Sequence, residues 1–212
     1  MSDAREQAIS KVLKHEGGYQ NKQTDDANKN SRGEWAGTNY GITPAVYEEH
    51  FGEVPTAKDM KKLKKADAIE IYADRYAKPI ENNLGISPDS DHYEQVLDIA
   101  VNHGYSGAVA MVQRAVGAKV DGKAGPATKA AIAETPDLNN KLVDARHAEY
   151  DRITKSKPKT SVYAKGWHNR AESFRKDAAE QPPVSPPKGE PLAAAVPPQP
   201  MPIVQDKGMM HV

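Results

Sequence analysis

His15-Glu16-Gly17-Gly18-Tyr19 is the stretch on which the reading of this chain turns. Upstream of it, Ile9, Val12 and Leu13 recur at the spacing of one helical face, and Glu16 is the next residue on that face. A surface helix normally carries leucine there; this one aims a carboxylate inward. Ser2 or Asp3 can cap the helix, expected over 3–15, and Gly17-Gly18 stop it. Burial disfavours the charged form of a carboxyl, so an inward Glu16 is expected to keep its proton to higher pH. Such a carboxyl can protonate a leaving glycosidic oxygen. The two glycines let a bulky polymer approach the backbone, and Tyr19 offers a ring to a sugar face. The alternative is that Glu16 frays outward as an ordinary surface acid.

Downstream, Gly33-Glu34-Trp35-Ala36-Gly37-Thr38-Asn39-Tyr40-Gly41-Ile42-Thr43 is dense in glycines, aromatics and short polar residues. That composition suits a short β-hairpin near 33–43 lining a cleft, with a plain surface turn as the alternative. Beyond it the pattern is helical. Thr43-Pro44 opens a second helix that ends near Gly52, and Thr56 opens a third. Residues 66–78 form a fourth, with Ile69, Tyr72, Ala73 and Tyr76 on one face and Pro79 ending it. Further helices are expected over 92–103, stopped by Gly104, then over 106–116, 126–133, 138–154 and 163–179, the last carrying Trp167 and Phe174. From about residue 180 prolines crowd the chain, so 180–212 reads as an extended or disordered tail. A docking strap on a protein partner is its sharper reading.

Composition narrows the function classes. The chain has 212 residues, 38% hydrophobic and 27% charged, with net charge +0, which removes a global field for nucleic acid. With no cysteine, disulfides, cysteine metal sites and thiol catalysis are excluded. The seven histidines are scattered, and no pair has the spacing of a helical zinc site. Asp89-Ser90-Asp91 is too short for a calcium loop, and Asp121-Gly122-Lys123-Ala124-Gly125 is a tight turn rather than a phosphate loop. Lys58, Lys61, Lys62, Lys64 and Lys65 read as a solvated helix face that can also meet an anionic wall. Neither metal nor organic cofactor is expected. The N-terminus lacks the apolar core of a signal peptide, and no run approaches the roughly 20 apolar residues of a membrane span. A cytoplasmic origin is expected, and a substrate outside the cytoplasm would require something else to deliver the protein.

The order Glu16-Gly17-Gly18-Tyr19, then Asp-rich turns, then Thr38-Asn39-Tyr40-Gly41-Ile42-Thr43 resembles glycoside hydrolase family 108, which comprises phage endolysins and bacterial relatives acting as N-acetylmuramidases. Val101-Asn102-His103-Gly104, Gln113-Arg114-Ala115-Val116, the 120–128 turn and Gly166-Trp167-His168-Asn169-Arg170 resemble the helical peptidoglycan-binding region that usually follows. The likeness spans about 4–174. It implies a mainly α, lysozyme-like fold and a lysozyme acting on bacterial peptidoglycan, in a bacteriolytic, antimicrobial role. The implied division is a catalytic part over 1–90, a peptidoglycan-binding part over 91–179 completing the cleft, and the tail.

By the same resemblance Glu16 is the catalytic acid. Phage lysozymes of the related fold place a carboxylate about nine residues later and a threonine in the hairpin, which maps to Asp25 and Thr38. Asp25 then steadies the oxocarbenium-like transition state or holds a water, and Thr38 positions that water. Tyr19, Trp35, Asn39 and Tyr40 are the substrate-binding candidates. The chain departs from the family where Val-Asn-Asp-Pro is usual: here stand Gln20-Asn21-Lys22-Gln23, and the segment over 24–35 is longer. The second carboxylate thus stays open among Asp25, Asp26 and Glu34, each with the alternative of a solvated turn acid. Rival readings are a lytic transglycosylase and a catalytically weak wall-binding protein of a virion or secretion machine.

Overall fold

The computed structural model describes residues 3–176. The proline-rich segment over 180–212 lies outside the described residues, as does the end of the helix expected to reach 179. The described chain is mainly helical, and by packing it forms one unit up to Pro79 and another from Ile80 onward.

In the first unit α1 (Asp3–Glu16) buries Ala8, Ile9, Val12 and Leu13 against α4 (Lys65–Tyr72) and the π-helical turn that follows it (Ala73–Ala77). Each large apolar side chain removed from water there contributes roughly 1.5–3 kcal/mol. Between them, α2 (Pro44–Phe51) starts at Thr43, whose hydroxyl accepts from the Val46 N–H, and stops at Gly52 in the left-handed region. α3 (Ala57–Lys62) starts in a reciprocal cap between Thr56 and Asp59.

Two expectations are corrected here. No strand forms among the described residues, so the hairpin near 33–43 is absent. The segment instead makes single antiparallel bridges, Gln20 with Thr38, Lys29 with Trp35 and Asn39 with Ile42. Gly33, Gly37 and Gly41 have φ of 79°, 82° and 72°, and Tyr40 has φ 51°, so extended backbone is interrupted every few residues before a ladder can grow. Pairing also reaches back to earlier residues: the Asn28 carbonyl accepts from both Ala36 and Gly37 N–H. The second correction is at Pro79, which does not end its helix. Residues 78 and 79 stay helical and a π-helical turn over Ile80–Leu84 follows. Proline breaks an α-helix by losing the bond to the carbonyl four residues back. Here the helix just before it is π-wound, with Lys78 N–H donating to the Ala73 carbonyl five residues back, and the chain continues helical through Pro79.

In the second unit α5 (Tyr93–Ala115) is broken at Gly104, whose φ 74° and ψ 164° are non-helical, so the two expected helices meet at a kink at the expected glycine. It packs on α7 (Leu138–Ser156), which packs on α8 (Ser161–Glu172). Their interior holds a charged centre. Asp98, 2% exposed, accepts from Arg146 at 2.7 Å and from Arg170 at 2.6 and 2.9 Å. The turn before α6 (Pro126–Glu134) is folded around buried Gln113, whose side-chain oxygen accepts from the Asp121 and Gly122 N–H groups. No helix among the described residues is long and apolar enough to cross a membrane.

Candidate active site

α1 ends where the residue pattern says it must. Gly17 takes φ 75°, a left-handed stop, and leaves Glu16 as the last helical residue, half-buried on the inward face. The chain then returns to it through the loop over 37–42. Asn39 and Ile42 exchange backbone hydrogen bonds at 2.8 and 3.1 Å, which forces the tight turn at Tyr40 and Gly41. A Cβ on Gly41 would lie 2.7 Å from Glu16 Oε2 and 2.7 Å from Tyr72 Oη. Only glycine lets this backbone close on the carboxyl. Tyr72, from α4, donates its hydroxyl to the Tyr40 carbonyl at 3.0 Å. Its ring meets Tyr76 edge-on at 5.4 Å between centroids. Burial pushes the Tyr76 phenol up; Arg75 opposes that shift and the Glu16 carboxylate adds to it, so Tyr76 and Glu16 sense each other's charge.

A second layer holds the loop. Gln20 and Thr38 exchange backbone hydrogen bonds, both at 2.8 Å. Fully buried Asn28 lies behind them: its side-chain oxygen accepts from the Thr38 hydroxyl at 2.7 Å and from Gln20 Nε2 at 3.0 Å, and its amide donates to the Lys22 carbonyl at 2.9 Å. Buried Asn30 plays the same part further along, donating to Glu34 and to the Pro55 carbonyl, both at 2.9 Å.

The residues singled out from sequence fall into three groups. Glu16, Gly41 and the Tyr40 backbone converge. Thr38, half-buried, is aimed at Asn28, and Asn39 is buried with its amide on the Met60 carbonyl at 2.8 Å. Tyr19 lies along the loop, its hydroxyl donating to the Ala36 carbonyl at 3.2 Å and the Lys61 ammonium 5.1 Å from its ring. Trp35 is half-buried with the Lys29 ammonium 4.5 Å over its ring. The three candidate second acids are exposed and locally engaged. Asp25 caps the short 3-10 turn Asp26–Asn28 through the Ala27 N–H, Asp26 pairs with Lys29 at 2.8 Å, and Glu34 accepts from Asn30.

Sequence reasoning missed Tyr72, Tyr76, Asn28 and Asn30 as parts of this arrangement. Two phenols four residues apart on an inward helix face were a signal, absorbed into the core reading; a buried asparagine leaves no periodic trace. Among the described residues no group of three or more histidines and acids is placed to hold a metal ion. Chemically the arrangement offers one half-buried carboxyl with phenols and a glycine backbone around it.

Residues 9–104 match the family model of Glycosyl hydrolase 108, and residues 107–172 match that of a Predicted Peptidoglycan domain. Among solved structures the chain is similar to SagA of Brucella abortus, at 29% identity and a TM-score of 0.63, over 84% of this chain and 95% of that one. No curated protein matches.

Proposed function

We propose, from the premise that residues 9–104 belong to the glycosyl hydrolase 108 family and that this protein is a glycoside hydrolase acting on peptidoglycan, that its target is the β-1,4 bond from N-acetylmuramic acid to N-acetylglucosamine. Glu16 is the acid. The observation that carries this reading is the seat of its carboxyl, half-buried at a helix end against the Gly41 backbone and the Tyr72 hydroxyl. A carboxyl in such a place is shielded from bulk water, and its proton can pass to a glycosidic oxygen as the bond breaks. The ring left behind carries oxocarbenium-like positive charge, which a second carboxylate steadies or meets with an activated water.

Asp25 is the second carboxylate we propose, with Thr38 aligning the water. Thr38 and the turn capped by Asp25 are joined through Asn28, which supports their acting on one side of the loop. The spacing of the two carboxyls decides the stereochemical outcome, about 5–5.5 Å for retention and roughly 6.5–9.5 Å for inversion. Tyr19, Trp35 and Tyr40 supply sugar contacts. For biological setting we propose a phage lysin, tested by expression with and without a holin. Lysis only with both supports it, and no lysis with both removes it.

A second reading is favoured by one observation. Asp25, Asp26 and Glu34 are all exposed and each already serves a local turn, so the reaction can run on Glu16 alone, as a lytic transglycosylase does. Digestion of purified peptidoglycan by wild type and Glu16→Gln, with mass analysis of the fragments, decides between them. Reducing N-acetylmuramic ends that vanish in the variant are expected. Anhydro ends would move the chemistry to the transglycosylase, and undiminished release by Glu16→Gln would remove Glu16 as the acid.

A further inference from the structure

The loop that closes on Glu16 also fixes a lysine. Asn39 in the middle of that loop donates its amide to the Met60 carbonyl at 2.8 Å, which pins the end of α3 beside the site. The next residue is Lys61, and its ammonium lies 5.1 Å from the centroid of the Tyr19 ring. That ring is itself held. Its hydroxyl donates to the Ala36 carbonyl at 3.2 Å, and a Cβ on Gly37 would lie 2.7 Å from Tyr19 Cε2 and Oη. A cation over an aromatic face is attracted by the negative centre of the ring, so Tyr19 steadies Lys61 beside the loop. Two residues beyond Asn39, Gly41 brings the same loop against the Glu16 carboxyl.

Lys61 is exposed, and among the described residues no acid pairs with it. Lys29 makes the contrast: it lies 4.5 Å over the Trp35 ring but is neutralised by Asp26 at 2.8 Å. Around Lys61 stand Lys58, Lys62, Lys64 and Lys65, and the two acids of that stretch are turned to backbone caps. Asp59 accepts from the Thr56 N–H at 2.9 Å, and Asp67 from the Lys64 N–H at 3.1 Å. A steadied cation in a stretch with more lysines than acids draws carboxylate ligands. We propose that Lys61 is a specificity-determining residue of this site, binding a carboxylate that the glycan strand carries next to the bond that is cut. Every second sugar of that strand, N-acetylmuramic acid, bears a lactyl carboxyl, either free or extended by an acidic peptide stem. The inference rests on the reaction proposed above, and a sugar that meets Tyr19 then meets an ammonium alongside the ring.

The test is binding of soluble glycan strands by the full chain carrying Glu16→Gln, which leaves the strands uncut. The strands compared are stem-bearing, stem-stripped with free lactyl carboxylates, and stripped with those carboxylates converted to amides. Adding Lys61→Met should weaken binding to a carboxylate-bearing strand about fivefold, and the loss should vanish on the amidated strand. Loss on the stripped strand assigns the lactyl carboxylate, and loss on the stem-bearing strand assigns one of the stem. Lys65→Met removes the same charge from the same stretch and should cost less than about twofold. Equal loss on the amidated strand, no loss on either charged strand, or an equal loss in Lys65→Met overturns the proposal. The proposed reaction fails separately. Undiminished cutting by Glu16→Gln removes the acid, and the carboxylate preference is then read as the ratio of KM values with Glu16 in place.

Discussion

Two carboxylates sit on inward helix faces of this protein, Glu16 at the end of α1 and Asp98 within α5, and they are treated in opposite ways. Both oxygens of Asp98 are taken by guanidinium groups, Oδ2 by Arg146 and Oδ1 by Arg170, in an interior where the carboxylate is 2% exposed. Glu16 is half-buried, and what closes over it is a glycine backbone and a phenol oxygen. A carboxylate clamped by two arginines ties three helices together and is spent on structure. The role proposed for Glu16 needs the opposite, a carboxyl that can give and recover a proton. Inward placement on a helix is common to both, so the proposed division into strut and reagent has to come from the surroundings of each carboxyl.

The largest expected effect separates the two directly. Glu16→Gln should lower peptidoglycan release by about a thousandfold with little change in melting temperature. Asp98→Ala should do the reverse, costing about 3–5 kcal/mol of stability by leaving buried arginines without their partner. Thermal melts and digestion assays on both variants check this, and a Glu16→Gln that melts early would put Glu16 among the struts.

Two glycines with positive φ carry the contrast further. Gly41→Ala forces a Cβ onto Glu16 and Tyr72, and we expect a loss of about a hundredfold in kcat. Gly104→Ala meets nothing within 4 Å, so only the strain of a φ 74°, ψ 164° backbone that is essentially reserved for glycine is felt, about 1–3 kcal/mol, with activity retained per folded molecule. Equal activity in the two variants would mean that the approach at Gly41 has no catalytic consequence.

Two buried amides form the next pair. Asn28→Ala and Gln113→Ala each strand several hydrogen-bonded partners and should cost about 2–3 kcal/mol in denaturant titrations. Only Asn28→Ala should also lower kcat, because only its partners hold the loop at Glu16.

The smallest effect is in acid. Burial and the neighbouring Arg146 guanidinium lower the His103 pKa to about 4, against the opposing pull of Glu149 and Asp98. As pH falls below about 6.5 the unfolded chain takes up this proton first. Stability contributed at His103 is therefore whole above that pH and declines as the pH approaches 4. His103→Gln should flatten this part of the stability profile, and an unaltered slope would assign the acid sensitivity to other groups.

Much of the architecture was legible along the chain. Thr43-Pro44 and Gly52 bracket α2, Pro126 opens α6, and Gly104 bends α5, because caps and breakers act within a turn of where they stand. The inward face of α1 could be read from Ile9, Val12, Leu13 and Glu16 for the same reason. The loop over 33–43 misled because glycine and aromatic density suits a hairpin and a glycine-broken coil alike. What decides is φ at Gly33, Gly37, Tyr40 and Gly41, and that depends on which earlier residues the loop meets. Pro79 misled because a slip to π-helical bonding is set by packing along the helix, with no local residue announcing it.

For the site the division is similar. The sequence by itself determined that a carboxylate ends the first helix on its buried face, since a period of 3.6 residues turns spacing into direction. It also determined the turn chemistry around that carboxylate through its glycines. Only the tertiary structure decided what the carboxyl meets. The Gly41 backbone, the Tyr72 oxygen and the Asn28 amide reach their places through contacts between elements far apart in the chain, whose free energy depends on packing and desolvation in three dimensions.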